Sequence, residues 1–296
     1  MDSTSAISID AATRLVTLLG DPVEHSRSPQ IHNTGFAHHG INAVYLATPV
    51  LPEALPDAIA GLRALHILGA NVTIPHKQAV LPLLDDLTPR ARAVGAVNTI
   101  ARTGDDAQTL RGDNTDVPGF LDPLEALHDR LQGAPMLILG SGGAARAVAY
   151  ALLTTFAPEA LTLAARSPDK AEQLAADLSP HDSGEALRMV PLSTAGPSIR
   201  ASRLVVNATP VGMHPNPGDT PWPAADDFSA EHIVYDLVYN PRETRLLREA
   251  AARGATPIGG LAMLIGQAAA AFEQWTGQPL PTDRVRDALL PPDEST

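Results

Sequence analysis

The sequence predicts an α/β protein of two domains, one of them a doubly wound unit. Three observations carry this. The 296 residues suffice for about two domains of ordinary size. Short apolar runs alternate with helix-like segments, the pattern of a largely parallel sheet with helices on its faces. A glycine-rich run, Gly140-Ser141-Gly142-Gly143-Ala144-Ala145, directly follows an apolar strand and opens an alanine-rich helix.

In order, the first third reads as strand 15–19, helix 29–39, strand 43–48, helix 53–65 and strand 70–74. A helix from Pro75 to about Leu84 follows, then a strand over 97–101. The polar run 102–113 reads as a hairpin or loop. From Pro135 the alternation is more regular. Strands are expected at 136–139, 161–165, 203–207, 233–237 and 256–258, a weaker one near Met189, and a helix over 144–153. The segment from Met213 to Pro223 carries Pro215, Pro217, Pro221 and Pro223, so it is expected as an ordered loop or lid. The last six residues, Pro291 to Thr296, are expected to fray.

Composition narrows the function. A formal charge of -12 disfavours nucleic acid, since no basic stripe is present to neutralise phosphates. Any anionic ligand must therefore be attracted locally. The absence of cysteine removes disulfides, thiolate zinc sites and thiol nucleophiles. The ten histidines lack the paired spacing of a zincin helix, so no metal is expected. No apolar run reaches the ~18 residues of a membrane span, and the N-terminus lacks the pattern of a secretion signal. A cytoplasmic setting is expected.

The glycine loop fits G-x-G-x-x-A, with Gly140, Gly142 and Ala145 at the three small positions. The first permits a tight turn, the second lets backbone approach a pyrophosphate, and the third lets helix pack on strand. The following helix start offers free N–H groups to phosphate. Dinucleotide binding follows. The next strand ends in Arg166-Ser167, with Lys170 a turn further on, where an acidic residue would suit NAD. A guanidinium fork, a hydroxyl and an ammonium instead suit the 2′-phosphate of NADP.

Positive charge is spelled as nineteen arginines and only two lysines, Lys77 and Lys170. Lysine differs from arginine in being able to release its proton. Lys77 ends Asn71-Val72-Thr73-Ile74-Pro75-His76-Lys77 and is expected in a helical first turn, where the helix dipole disfavours a cation. Asp116 is a candidate carboxylate partner, although capping of the helix containing Phe120 and Leu124 would also explain it. Ser28 and Pro29 read as N-cap and first residue of a helix, and Ser26 and Ser28 place hydroxyls beside its N-terminus, a seat for a carboxylate.

These motifs, together with Ala96-Val97-Asn98-Thr99, Asn114-Thr115-Asp116, Asn207-Ala208-Thr209, Asp236-Leu237-Val238-Tyr239-Asn240-Pro241 and Gly259-Gly260-Leu261-Ala262-Met263-Leu264 with Gln267, resemble the shikimate and quinate dehydrogenase family. The resemblance runs through most of the chain, in the family's order. It implies a two-lobed α/β fold: an N-terminal substrate domain, formed by 1–117 and 259–296, and a doubly wound Rossmann NADP-binding domain over 118–258. It implies reversible reduction of 3-dehydroshikimate to shikimate. Lys77 and Asp116 would be the catalytic dyad, with Ser26, Ser28, Thr73, Asn98, Tyr239 and Gln267 binding substrate. Gly140, Ser141, Gly142, Gly143, Ala144, Arg166, Ser167, Lys170, Thr209, Val211, Met213 and Gly260 would bind the cofactor.

One departure stands out. NADP-using members often read Asn-Arg-Thr where this chain has Ala165-Arg166-Ser167, so one polar contact is missing. A quinate/shikimate or aminoshikimate dehydrogenase would share nearly all these motifs. A non-catalytic NADP sensor would need no Lys77 and Asp116. The expected partners are the small-molecule substrate and, at most, a second copy of the chain.

Overall fold

The computed structural model describes residues 9–104 and 109–289, so the tail expected to fray, Pro291 to Thr296, lies outside the described residues. The chain divides into two compact units, Met1–Thr115 with Gln267–Thr296, and Asp116–Gly266. The divisions thus fall at 115/116 and 266/267, where the family resemblance implies 117/118 and 258/259.

In the first unit the elements run β1 (Arg14–Gly20), α1 (Ser28–His39), β2 (Ala43–Pro49), α2 (Leu55–Ala64), β3 (Gly69–Val72), β4 (Asp86–Leu87), α3 (Pro89–Val94), β5 (Thr99–Thr103) and β6 (Thr109–Asp113). The sheet order is β2-β1-β3-β5-β6-β4. The pairs β1–β2, β1–β3 and β4–β6 are parallel, while β3–β5 and β5–β6 are antiparallel. The 102–113 run is therefore in part a hairpin, because five residues of β5 register against β6.

The second unit holds α4 (Asp116–Leu121), α5 (His128–Leu131), β7 (Met136–Leu139), α6 (Gly143–Phe156), β8 (Leu161–Ala165), α7 (Pro168–Leu178), β9 (Leu187–Pro191), α8 (Gly196–Ala201), β10 (Leu204–Asn207), β11 (Ile233–Asp236), α9 (Arg245–Ala252) and β12 (Thr256–Gly259). Two further helices follow, α10 (Leu261–Thr276), which runs across the second division, and α11 (Thr282–Leu289). The sheet of the second unit is parallel throughout, in the order β12-β11-β10-β7-β8-β9. Reading from β9, that is the doubly wound order 3-2-1-4-5-6, with its switch point between β7 and β10. Every residue of β7, β8, β10 and β11 is buried, which is why these strands read as continuous apolar runs rather than alternating ones.

Two expectations fail locally. No helix spans 75–84. Residues 75–80 form turns, followed by a short 3₁₀ segment, Leu81–Leu83. The cause is non-local: the Lys77 carbonyl, which a helix would need for residue 81, accepts from Val97 N at 2.8 Å. The buried His76 ring is bonded to the Val50 carbonyl at 2.6 Å. Lys77 therefore feels no helix dipole. Ser28 is not an N-cap either; it is already helical, and Ser26 Oγ accepts from its N–H at 3.2 Å.

Helix α3 is absent from the sequence reading, although its signals are present. Thr88 caps it by accepting from Ala91 N at 3.1 Å, Pro89 opens it, and Gly95 closes it at φ 68°.

An aromatic cluster joins α1, β2 and the last turns of α10. The His32 ring stacks on Tyr45 with centroids 4.5 Å apart and lies 5.0 Å from Trp275. Trp275 donates to the Ile100 carbonyl at 3.0 Å, and a Cβ on Gly69 would sit 2.2 Å from its indole nitrogen. Only glycine lets the indole lie against β3 there.

Candidate active site

In the first unit, β1 and β3 are adjacent and parallel, so the segments following Gly20 and Val72 leave the same end of the sheet. Strand β5 runs against β3, which brings its start, Asn98-Thr99, to that end. Strand β6 runs against β5, so Asn114 and Thr115 also leave there. Four motifs distant in sequence are thus gathered by topology at one edge, beyond the carboxyl ends of β1, β3 and β6.

Gly20 shows how closely two of them meet. A Cβ on it would lie 2.3 Å from Thr73 Cγ2 and 3.0 Å from the Ile74 carbonyl. The Asp21 N–H donates to that carbonyl at 3.0 Å, and the Thr73 N–H to the Leu19 carbonyl at 2.9 Å. Ser26, Thr73 and Lys77 are half-buried there, and Ser28 is buried.

Asn98 is buried and its amide is oriented by its neighbours. Its Oδ1 accepts from Thr115 N at 2.7 Å and from the hydroxyls of Thr99 and Thr115, both at 3.1 Å. Its Nδ2 donates to Thr115 Oγ1 at 2.9 Å and to Gln267 Oε1 at 3.5 Å. Behind this pair, Asn71 Nδ2 donates to the Asn98 carbonyl at 3.1 Å and to Thr99 Oγ1 at 3.2 Å. Tyr45 in turn donates its hydroxyl to Asn71 Oδ1 at 2.7 Å. Burial, opposed by Ser28, pushes the Tyr45 phenol up, so it remains a donor.

The turn leading to Asp116 is anchored separately. Asp113 takes two bonds from Arg90 and one from Gln274 Nε2 at 2.8 Å, and accepts from Asn114 N at 2.7 Å. Burial pushes its carboxyl up, but Arg90 and Thr88 more than offset this and hold it below the usual range. Asp116 is the first residue of α4 and of the second unit, and is buried.

In the second unit, Gly140 leaves β7 at φ +113°, and a Cβ there would meet Thr209 Cγ2 at 2.9 Å. Both requirements call for glycine. Gly142 precedes α6 with open space where a Cβ would lie, and Ala145 is fully buried. Ser141, Gly143 and Ala144, at the start of the fourteen-residue α6, are half-buried. The turn, the open approach and the close packing that a pyrophosphate seat needs are all present at the switch point.

Arg166 and Ser167 follow β8 and are exposed, as is Lys170 in the first turn of α7. Arg166 lines a cavity of about 510 Å³, with Leu192, Ser193, Pro221 and Trp222 among its walls. Trp222, buried and fixed by its indole donating to Asp227 at 3.0 Å, is a wall that sequence reasoning does not single out. Residues 208–224 contain no helix or strand, consistent with the prolines. Val211 is half-buried and Met213 exposed in this segment.

Tyr239, half-buried, follows β11, and Gly260 follows β12. A Cβ on Gly260 would lie 2.2 Å from the Leu237 carbonyl oxygen, so the backbone passes too close for any side chain. The buried Asn207 and Asp236, at the ends of β10 and β11, belong to two of the sequence motifs, yet the resemblance gives them no role.

No helix among the described residues is long and apolar enough to cross a membrane, and no described group of three or more His, Cys, Asp or Glu is placed to hold a metal ion.

Comparison with known proteins gives the family. Residues 18–100 match the shikimate dehydrogenase substrate binding domain, and 260–290 match the shikimate 5'-dehydrogenase C-terminal domain. A shikimate dehydrogenase (NADP(+)) of Salinibacter ruber is 65% identical over 95% of this chain and 98% of its own. A crystal structure of shikimate dehydrogenase in complex with NADP+ is 40% identical, with a TM-score of 0.87 over 95% of this chain and 96% of that one. The shikimate 5-dehydrogenase of Thermus thermophilus, in complex with NADP(H) and shikimate, is also 40% identical, with a TM-score of 0.81 over 93% of this chain and 98% of that one. With the substrate-domain match, near-complete coverage and the glycine loop at the switch point, the chain belongs to the shikimate dehydrogenase family.

Proposed function

We propose that this chain catalyses the NADP-dependent, reversible reduction of 3-dehydroshikimate to shikimate, a step toward the aromatic amino acids. The observation that carries the reading is the gathering of Ser26, Ser28, Thr73, Lys77, Asn98 and Gln267 at one end of the first sheet. Such a set offers a carboxylate seat, hydroxyl-reading amides and one group able to exchange a proton.

In this reading Ser26, Ser28 and Thr73 hold the substrate carboxylate. Lys77 is the acid–base group. Its Nζ donates a proton to the carbonyl oxygen during reduction and recovers one from the hydroxyl during oxidation. Asp116 holds the ammonium and reads a ring hydroxyl. Asn98, whose Oδ1 is filled by Thr99 and Thr115, reads a second hydroxyl through Nδ2, exchanging its long bond to Gln267 Oε1 for one to the substrate. Gln267 and Tyr239 complete the substrate set. A site built to bond hydroxyls discriminates strongly against a ligand lacking them.

The second unit fits NADP. Gly140 to Ala144 would receive the pyrophosphate, Arg166, Ser167 and Lys170 the 2′-phosphate, and Thr209, Val211, Met213 and Gly260 the nicotinamide end. When bound, NADP supplies or accepts the hydride. The enzyme is proposed to act in the cytoplasm as a monomer or homodimer.

The test is cofactor reduction by purified protein, with shikimate and quinate each offered NADP and NAD. Rapid turnover with shikimate and NADP is the expected result. Preference for quinate or NAD would move the chain to a sister activity. NADP binding without turnover on either substrate would make it a sensor.

A further inference from the structure

Asn207 and Asp236 end adjacent parallel strands, directly opposite one another in register, and both are fully buried. Their bonding is directional. Asn207 Nδ2 donates to Asp236 Oδ1 at 2.8 Å, and Val238 N donates to the same oxygen at 3.0 Å. Thr244 Oγ1 donates to Asp236 Oδ2 at 2.6 Å. That hydroxyl also accepts from Leu247 N at 3.3 Å, which directs its own proton toward Asp236. Asp236 is thus an acceptor toward all three neighbours.

An acceptor-only neighbour decides which end of the Asn207 amide faces it. The carbonyl end must then face the other way. There Asn207 Oδ1 accepts from Thr209 N at 3.0 Å and from Thr209 Oγ1 at 2.7 Å. Thr209 Oγ1 accepts in turn from Val211 N at 3.2 Å. Further along, His214 N donates to the Asn240 carbonyl at 3.1 Å, tying the same loop to the segment after β11. Thr209 also lies against Gly140, where an added Cβ would be only 2.9 Å from its methyl. The path of 209–213 is therefore set by a chain of bonds whose buried end is Asp236.

We propose that Asn207 and Asp236 are a positioning pair for the nicotinamide-side loop: Asp236 orients the Asn207 amide, whose carbonyl oxygen holds Thr209 and with it Val211 and Met213. The proposal deepens the NADP reading and rests on it. Neither residue is exposed, so neither acts by touching the cofactor.

The informative substitution is Asn207→Asp, which preserves shape and the acceptor toward Thr209 but sets a second carboxylate against Asp236. Two such groups share a proton and titrate as a pair. Loss of that proton drives them apart and moves Thr209. The expected result is a kcat/KM for NADP lowered by about 10-fold or more and falling further as pH rises, a limb absent from the wild type. Thr209→Val, which cuts the hydroxyl link outside the strands, is expected to lower it in the same direction without the pH limb. It keeps the proposal testable if Asn207→Asp does not fold.

Binding of 2′-phospho-ADP-ribose, which lacks nicotinamide, is measured alongside by calorimetry. Affinity within about two-fold of wild type for both variants is expected, because only one end of the cofactor is affected. Unchanged NADP kinetics in the variants, or equal losses for the fragment and for NADP, would overturn the positioning role. A wild-type protein that does not bind the fragment would overturn the NADP reading itself, and the proposal with it.

Discussion

The hydroxyl of Tyr45 donates to Asn71 Oδ1 at 2.7 Å, and the Asn71 amide passes the constraint to the Asn98 carbonyl and Thr99 Oγ1. Three elements, β2, β3 and the start of β5, are thereby joined by one buried polar chain beneath the proposed substrate seat. Tyr45→Phe leaves Asn71 Oδ1 buried without its donor, at a cost of about 1–3 kcal/mol. The expected outcome is a lower thermal midpoint and a raised KM for shikimate with a smaller change in kcat. An unchanged KM would confine Tyr45 to stability.

Lys77 is the proposed proton-exchanging group, so Lys77→Ala is expected to lower kcat by ~10²–10⁴-fold, the usual worth of a positioned acid–base group. Lys77→Arg should be nearly as poor, since guanidinium does not release its proton. Steady-state rates on folded variants decide it, and near-normal turnover in either removes Lys77 from the chemistry.

Arg166, which lines the cavity beyond β8, is the proposed fork for a 2′-phosphate. Arg166→Ala is expected to weaken NADP binding by roughly 1.5–3 kcal/mol, the range for a charge-assisted hydrogen bond, and to leave NAD unaffected. Titration of both cofactors reads the difference; equal losses would contradict the 2′-phosphate role.

His32 is fully buried in the aromatic cluster, and neither ring nitrogen has a hydrogen-bond partner. Burial pushes its imidazole down to about 3, only weakly opposed by the nearby Asn71. The folded protein therefore holds it neutral, while the unfolded chain takes up a proton below the ordinary value of 6.5. Stability is full above that value and falls by up to about 1.4 kcal/mol per pH unit as pH drops toward 3. His32→Phe should abolish this contribution, recovering about 2 kcal/mol of the acid loss between pH 7.5 and 5. Denaturant melts at the two pH values check it; the same acid loss in the variant would place the sensitivity elsewhere.

Much of the second unit is legible in the sequence because its signals are local. A glycine turn needs φ beyond the reach of other residues, and strands buried on both faces are written as runs such as Met136–Leu139 and Leu161–Ala165. The position of Arg166 directly after its strand is legible for the same reason. Trp222, which lines the same cavity, is not, because nothing in the chain between them reports that they share a wall.

The first unit shows the complementary case. Pro75 and the apolar run after it read as a helix, yet the Lys77 carbonyl is claimed by Val97, twenty residues away. Local propensity is weak beside a tertiary hydrogen bond and a buried His76.

By itself the sequence determined the alternation of elements, the glycine loop and the residue types able to bind phosphate, carboxylate and hydroxyl. These depend on backbone sterics and side-chain chemistry within a few residues. Only the tertiary structure decided that β5 and β6 run antiparallel, bringing Asn98 and Thr115 to the end of β3, and that Asn207 faces Asp236. Strand order and register are settled by which buried faces and polar groups satisfy one another across the sheet, and that information is spread along the chain rather than held in any one segment.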